Sequence, residues 1–230
     1  MAERFCPIAF VPMRGGSKGI PNKNIMPIGD KAHLFEYAID AALEAGLEVV
    51  VSTDSDEIQQ AVESVYDSKV RALSRPVEIS GPKAQIEEAV KYHIEQGHLN
   101  GYTHVVLLQV TNPFVCQWDI SGVLNYIKAG TCDSVASVVN VKQLEWNVYP
   151  TFPRYRTDNR PTRKQHSGTY LENGAVYGFD IDGFMGLGGR SRIFGEMGVV
   201  EMTATSLHEL DEPGDIPIIN ALLKIPKGDR

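Results

Sequence analysis

The segment Met13-Arg14-Gly15-Gly16-Ser17-Lys18-Gly19-Ile20-Pro21-Asn22-Lys23-Asn24 carries three cations and three glycines with no acid among them. Glycines let backbone N–H groups close around phosphate oxygens, and Arg14, Lys18 and Lys23 add positive charge, so an anion-binding loop is expected. Read alone, the same composition also suits a solvated loop. The order matches neither Gly-x-x-x-x-Gly-Lys-Ser/Thr nor Gly-x-Gly-x-x-Gly. Gly15 to Gly19 does satisfy Gly-x-Ser-x-Gly, but a hydrolase elbow follows a central strand with an oxyanion loop already made upstream. Only about a dozen residues precede this one, so acyl transfer through Ser17 is not expected. Far along the chain, Glu209 and Asp211 stand two apart. In an extended segment both carboxylates project from one face and could share a divalent ion, or else mark a solvated acidic turn before the last helix.

These groups need elements to carry them. Phe5 to Met13, Leu47 to Thr53 and Thr103 to Gln109 are short β-rich runs without strict alternation, the pattern of strands buried on both faces. Between them the apolar residues keep helical spacing: Leu34, Ala38, Ile39 and Ala42; then Ile58, Ala61, Val62 and Val65; then Ile86, Ala89, Val90 and Ile94. Gly46 and Gly97 sit where helix C-caps belong, and Asp54 with Glu57 has capping-box spacing. The order predicts a three-layer α/β/α domain with a mostly parallel sheet, over residues 1–230. Further strands are expected at Asp133 to Val141, near Ala175 to Phe179 and near Val199 to Met202, with a last helix over Ile216 to Leu223. Residues 143–170 hold Trp146, several prolines and a basic cluster but no clean period, and read as an excursion from the sheet that covers substrate or meets a partner chain. In open α/β sheets ligands bind at the carboxyl ends of strands, where the loop after Met13 falls.

Composition sets the outer limits. The 230 residues include 22 Lys and Arg against 29 Asp and Glu, a net charge of −7, which disfavours nucleic acid as the main partner. At 43% hydrophobic and 22% charged the chain can bury a full core. Phe5 to Met13 is too short to span a bilayer and opens into the glycine-rich loop, so neither a membrane segment nor a signal peptide is expected. Cys6, Cys116 and Cys132 are odd in number and widely spaced, which suits reduced thiols in a cytoplasmic protein. The histidines show no metal-ligand spacing. The charge is segregated: Val11 to Ile25 has no acid, Arg163 lies in a second basic stretch, and Glu201 to Asp215 has acids but no Lys or Arg.

Several ordered blocks stand out: Arg14 to Asn24 (RGGSKGIPNKN), Val51-Ser52-Thr53-Asp54, Leu107-Leu108-Gln109-x-Thr111-x-Pro113, Glu172 to Tyr177 (ENGAVY), and the acidic segment from Glu209 to Asp215. Together they resemble the N-acylneuraminate cytidylyltransferases, and the resemblance implies the nucleotide-diphospho-sugar transferase fold. The resemblance implies transfer of CMP from CTP to the anomeric hydroxyl of a sialic-acid-like nonulosonic acid, with Mg²⁺ as cofactor and pyrophosphate released by a homodimer. It implies that Arg14, Gly15, Gly16, Ser17, Lys18, Lys23, Asn24, Arg75 and Ala84 bind the nucleotide, with Arg14, Lys23 and Asp211 catalytic. It further implies that Gln109, Arg163, Asn173 and Tyr177 contact the acidic sugar, and that Glu209 and Asp211 hold the metal.

The chain departs from the family pattern in three places. Glu209 replaces the usual first Asp, Ile86 stands where a serine is common, and Thr111-Asn112-Pro113-Phe114-Val115 lacks the usual terminal arginine. The alternatives are an octulosonate or phosphonate acceptor, or a nucleotide- or sugar-binding homologue without turnover.

Overall fold

The computed structural model describes residues 5–17 and 19–225, so the role expected of Lys18 lies outside the described residues. The strands are β1 (Pro7–Met13), β2 (Val49–Thr53), β3 (Val70–Ser74), β4 (His104–Leu108), β5 (Ser134–Val141), β6 (Trp146–Asn147), β7 (Phe152–Pro153), β8 (Thr169–Asp180) and β9 (Met197–Glu201). The helices are α1 (Phe35–Glu44), α2 (Asp56–Tyr66), α3 (Ile86–Glu95), α4 (Gln117–Lys128), α5 (Ile181–Gly186) and α6 (Asp215–Leu223). Among the described residues seven strands form one sheet in the order β3-β2-β1-β4-β8-β5-β9. β8 runs antiparallel to both its neighbours, and every other pairing in this sheet is parallel.

The missing alternation in β1 has the expected cause. Ala9, Val11 and Met13 pack under α1, α2 and α4, while Ile8 and Phe10 pack on the other face with Ala89 and Val90 of α3 and Phe184 of α5. Both faces are covered, which gives the three layers. A third cluster joins Ile20, Ile28 and Leu34 to Phe114, Leu210 and Ile219, and it draws the loop after β1 against the acidic segment and α6.

Three elements carry little signal in the sequence. β3 is a short edge strand whose Arg71 and Ser74 face solvent, so its apolar pattern is broken. α4 buries Ile120, Val123 and Ile127 but carries an exposed Trp118, which blurs its polar face. The single turn of α5 is too brief for a period to show. Gly46 and Gly97 close α1 and α3 in the left-handed conformation, as expected. The capping box expected of Asp54 and Glu57 does not form: Ser55 is the N-cap of α2, its Oγ accepting from Ile58 N–H, and Asp54 is free for another partner.

β8 begins at Thr169, earlier than the sequence suggested, and pairs with β5 through a register shift between Ala136 and Val138. The excursion is the small hairpin β6–β7 followed by a 3-10 turn over Thr157–Asn159. Trp146 packs edge-on to Tyr155 at 6.4 Å yet stays 57% exposed, and Val148 and Tyr149 are almost wholly exposed.

Candidate active site

A cleft of about 340 Å³ opens past the carboxyl ends of β1, β3 and β4. It is lined by Arg14, Ser17, Lys23, Asn24, Arg75, Ser80, Ala84, Gln109, Thr111 and Asp211, among others. Most of the residues singled out for a nucleotide therefore converge here from two separate stretches of chain, and Gln109 and Asp211 join them from two more.

The loop after β1 is held on both sides. Asp54, at the tip of β2, accepts the Gly15 N–H at 2.9 Å, and Asn24 donates from Nδ2 to the Arg14 carbonyl at 2.9 Å. Arg14 reaches across to the Gly81 carbonyl at 3.5 Å. At the other end, Gly19 lies against the Asp211 backbone so closely that a Cβ would collide with the Asp211 carbonyl oxygen. A side chain there would push the basic loop and the acidic segment apart.

That contact is also electrostatic. Lys23 donates from Nζ to the Leu210 carbonyl at 2.8 Å and to Asp211 Oδ1 at 2.9 Å. Its side chain is 12% exposed, whereas that of Asp211 is 64% exposed. Leu210 is fully buried in the third apolar cluster and donates its N–H to Thr111 O at 2.8 Å, so its two neighbours are fixed on either side of it. Glu209 accepts from Thr111 Oγ1 at 3.2 Å and crowds Gly174, where a Cβ would come within 2.7 Å of Glu209 Oε1. Burial, and then the charge of Asp211, pushes the Glu209 carboxyl above the ordinary carboxylate range. Asp215 anchors the segment from below by accepting the N–H groups of Asp211 and Glu212 at 2.9 and 2.8 Å, and these backbone bonds hold its carboxyl below the usual range.

Arg75 forms the opposite wall and is only 9% exposed. It donates from Nε to Ser80 Oγ at 2.8 Å and from Nη1 to the Ser52 carbonyl and hydroxyl oxygens at 3.3 and 3.4 Å. Burial depresses the pKa of its guanidinium, with the charge of Arg14 adding to the effect and Asp54 opposing it. A side chain that keeps its charge in such a setting favours an incoming anion or polar ring.

The remaining expectations separate. Gly15 and Gly16 belong to the loop but do not line the cleft. Asn173 and Tyr177 are 1% and 5% exposed and lie in the interior behind the cleft. Asn173 Oδ1 accepts from Ser137 Oγ at 2.6 Å, and Nδ2 donates to Ser206 Oγ at 2.8 Å, so the amide knits β8 to β5 beside the register shift. Tyr177 donates to Glu172 Oε2 at 3.0 Å and stacks under Arg192, whose guanidinium lies 4.8 Å from the ring centre. Burial and the nearby Glu172 raise the Tyr177 phenol. Arg163 is exposed on the excursion, away from the cleft lining.

The bond from Asp54 to Gly15, the Ser52 and Ser80 hydroxyls under Arg75, and Arg192 over Tyr177 left no pattern in the sequence. Apart from Ser80, which follows Arg75 closely, the partners are distant in the chain, and only Asp54 and Ser52, inside the Val51 to Asp54 block, carried any signal. Among the described residues no group of three or more His, Cys, Asp or Glu is arranged to hold a metal ion.

A mostly parallel seven-stranded sheet with helices on both faces is the arrangement of the nucleotide-diphospho-sugar transferase fold. The structure of CMP:2-keto-3-deoxy-manno-octonic acid synthetase complexed with CTP superposes with a TM-score of 0.68 at 17% identity, over 95% of this chain and 98% of that one. The chain belongs to the cytidylyltransferase family, whose model matches residues 8–176. It is 32% identical over 144 residues to the N-acylneuraminate cytidylyltransferase of Streptococcus agalactiae serotype III, a match covering 60% of this chain and 33% of the relative. It is 34% identical over 113 residues to the pseudaminic acid cytidylyltransferase of Campylobacter jejuni serotype O:2, covering 47% of each. The matched segment thus spans about a third of the streptococcal protein. The family match takes in the loop, Arg75, Gln109, Arg163 and Asn173, while Tyr177 and the acidic segment lie beyond its last residue.

Proposed function

We propose that this protein transfers CMP from CTP to the anomeric hydroxyl of a sialic-acid-like nonulosonic acid and releases pyrophosphate. The observation that carries this reading is the meeting of Lys23 with Asp211 at the mouth of a cleft walled by Arg14 and Arg75. The cationic loop suits a triphosphate, the Arg75 wall suits a base, and the acidic segment lies between them and the open side. The names of the streptococcal and campylobacter relatives support the nucleotide and the class of acceptor.

In this reading the acceptor hydroxyl oxygen bonds to the α-phosphorus of CTP while the bond from that phosphorus to the bridging oxygen breaks, and the hydroxyl proton passes to Asp211. Such a transfer depends on positioning and charge more than on covalent chemistry by the protein. Arg14, Ser17 and Asn24 hold the loop around the phosphates, with Gly15, Gly16 and Lys18 assigned to the same task. Lys23 stabilises charge at the reacting phosphoryl group. Gln109, at the end of β4, meets the sugar, and Arg163 grips its carboxylate when the excursion folds over the cleft. Asn173 and Tyr177 support that surface from behind.

The donor set fits a hard divalent cation. Glu209 and Asp211 are two carboxylates that repel one another, and the Lys23 ammonium already balances one of them. Two carboxylates with substrate phosphates and water make a common Mg²⁺ environment. Glu209 and Asp211 would hold Mg²⁺, which when bound neutralises charge on the pyrophosphate. The exposed Trp146, Val148, Tyr149 and Phe152 support a homodimer built through residues 143–170. No described helix is long and apolar enough to cross a membrane. The three free, widely spaced cysteines support assigning the protein to a reducing cytoplasm.

The test is a panel of pyrophosphate-release assays with each nucleotide and with N-acetylneuraminic, pseudaminic, legionaminic and octulosonic acids. Release is expected only when CTP, Mg²⁺ and a nonulosonic acid are present together. Release with UTP or ATP but never CTP would overturn the cytidyl assignment, and tight CTP binding without turnover on any acidic sugar would identify a binder. The campylobacter relative makes pseudaminic acid the second acceptor of interest.

A further inference from the structure

Behind Arg75 lies a polar chain that runs into the hydrophobic core. Ser52 and His93 are both fully buried, and Ser52 Oγ and His93 Nε2 are 2.8 Å apart. His93 Nδ1 faces His98 Nδ1 at 2.9 Å. The ring is wedged against Phe10, with centroids 5.6 Å apart, so it has little freedom to turn. A guanidinium can only donate, so Ser52 Oγ accepts from Arg75 Nη1, and its own proton or its second lone pair makes the bond to His93 Nε2. In either tautomer Ser52 Oγ is held between Arg75 and the buried imidazole.

With Nε committed to Ser80 and Nη1 to Ser52, Nη2 is the guanidinium nitrogen left without a hydrogen bond among the described residues. Ile79, Pro82 and Ala84 give the wall around Arg75 an apolar surface beside Ser80 and Gln85, which suits the flat face of a base better than a phosphate. We infer that Ser52 and His93 are positioning residues for nucleotide selection: they lock the Arg75 guanidinium so that Nη2 is presented to the base in the cleft. This rests on the cytidylyltransferase reading given above. A buried hydrogen bond to a charged group is worth about 1.5–3 kcal/mol, or about ten- to a hundredfold in affinity.

The experiment compares CTP and UTP affinity by calorimetry, with kcat and KM for CTP, in wild type, Ser52→Ala, His93→Phe and His93→Gln, each first checked for a cooperative thermal transition. Ser52→Ala and His93→Phe are expected to weaken CTP binding about tenfold, to narrow the preference for CTP over UTP, and to leave kcat at saturating CTP within about twofold. His93→Gln, whose side-chain amide can hydrogen-bond Ser52 Oγ in place of Nε2, is expected to recover most of the affinity. A folded His93→Phe protein that binds CTP as tightly as wild type would overturn the inference alone. Wild-type protein that binds no CTP would remove the functional reading and this inference with it.

Discussion

Lys23 and Asp211, 188 residues apart in the chain, are joined at 2.9 Å by an ion pair whose lysine is nearly buried and whose aspartate faces the open side of the cleft. The pair closes the site: it pins the basic loop after β1 to the acidic segment before α6, next to a glycine that permits no side chain. As an isolated surface contact such a pair would contribute little to stability, so its value lies in where it places charge.

The first prediction follows from that placement. Lys23→Ala should lower kcat by about a hundred- to a thousandfold, the usual loss when one stabilising donor is removed from a transition state. Asp211→Asn keeps the shape and removes the charge. It should abolish turnover while leaving the melting temperature close to wild type, since the side chain is largely exposed. Pyrophosphate release and calorimetry measure the two effects, and full activity in Asp211→Asn would strip the acidic segment of its role.

Asp54 gives a second prediction. Its carboxylate holds the Gly15 N–H at 2.9 Å, a bond of about 1.5–3 kcal/mol. In Asp54→Ala the loop loses its tether to β2, and KM for CTP should rise several-fold while KM for the acceptor changes little. Equal rises in both constants would point to a general loss of order.

The third concerns Asn173 and Arg163, which the sequence placed together and the structure separates. Asn173→Ala should cost about 2–3 kcal/mol in urea denaturation, because the Ser137 and Ser206 hydroxyls lose a buried partner. Arg163→Ala should leave that curve unchanged and raise KM for the acidic sugar. Normal stability in Asn173→Ala would argue that its amide is not the strut described above.

The fourth is a pH dependence. Burial, followed by the charges of His98 and Arg75, lowers the His93 pKa from 6.5 to about 4. The unfolded chain therefore takes up a proton near pH 6.5 that the folded protein refuses until about pH 4. The contribution of His93 is complete above pH 6.5 and is lost as the pH falls toward 4, so stability should decline across this window on acidification. His93→Gln should flatten that part of the stability curve, as followed by thermal melts at successive pH values. An undiminished slope would assign the effect to other groups.

What the sequence determined by itself was local. Strands buried on both faces are apolar at most positions, so β1, β2 and β4 announced themselves as β-rich runs without strict alternation, and the helices between them kept their spacing. The loop from Arg14 to Asn24 was legible because glycines and cations without acids follow directly on a strand. Glu209 and Asp211 could be read as a pair because one buried residue, Leu210, divides them.

The tertiary structure decided which of these pieces touch. Strand order brought β1, β2 and β4 side by side, so that Asp54 could hold Gly15 instead of capping α2, and packing around Leu210 carried Asp211 to Lys23. It also turned Asn173 inward to satisfy the shift between β5 and β8, and left Arg163 outside on the hairpin excursion. The physical reason is the same in each case. Hydrogen bonds and ion pairs between residues tens to hundreds of positions apart leave no period or spacing in the chain. They exist only once burial of the apolar faces has fixed the geometry.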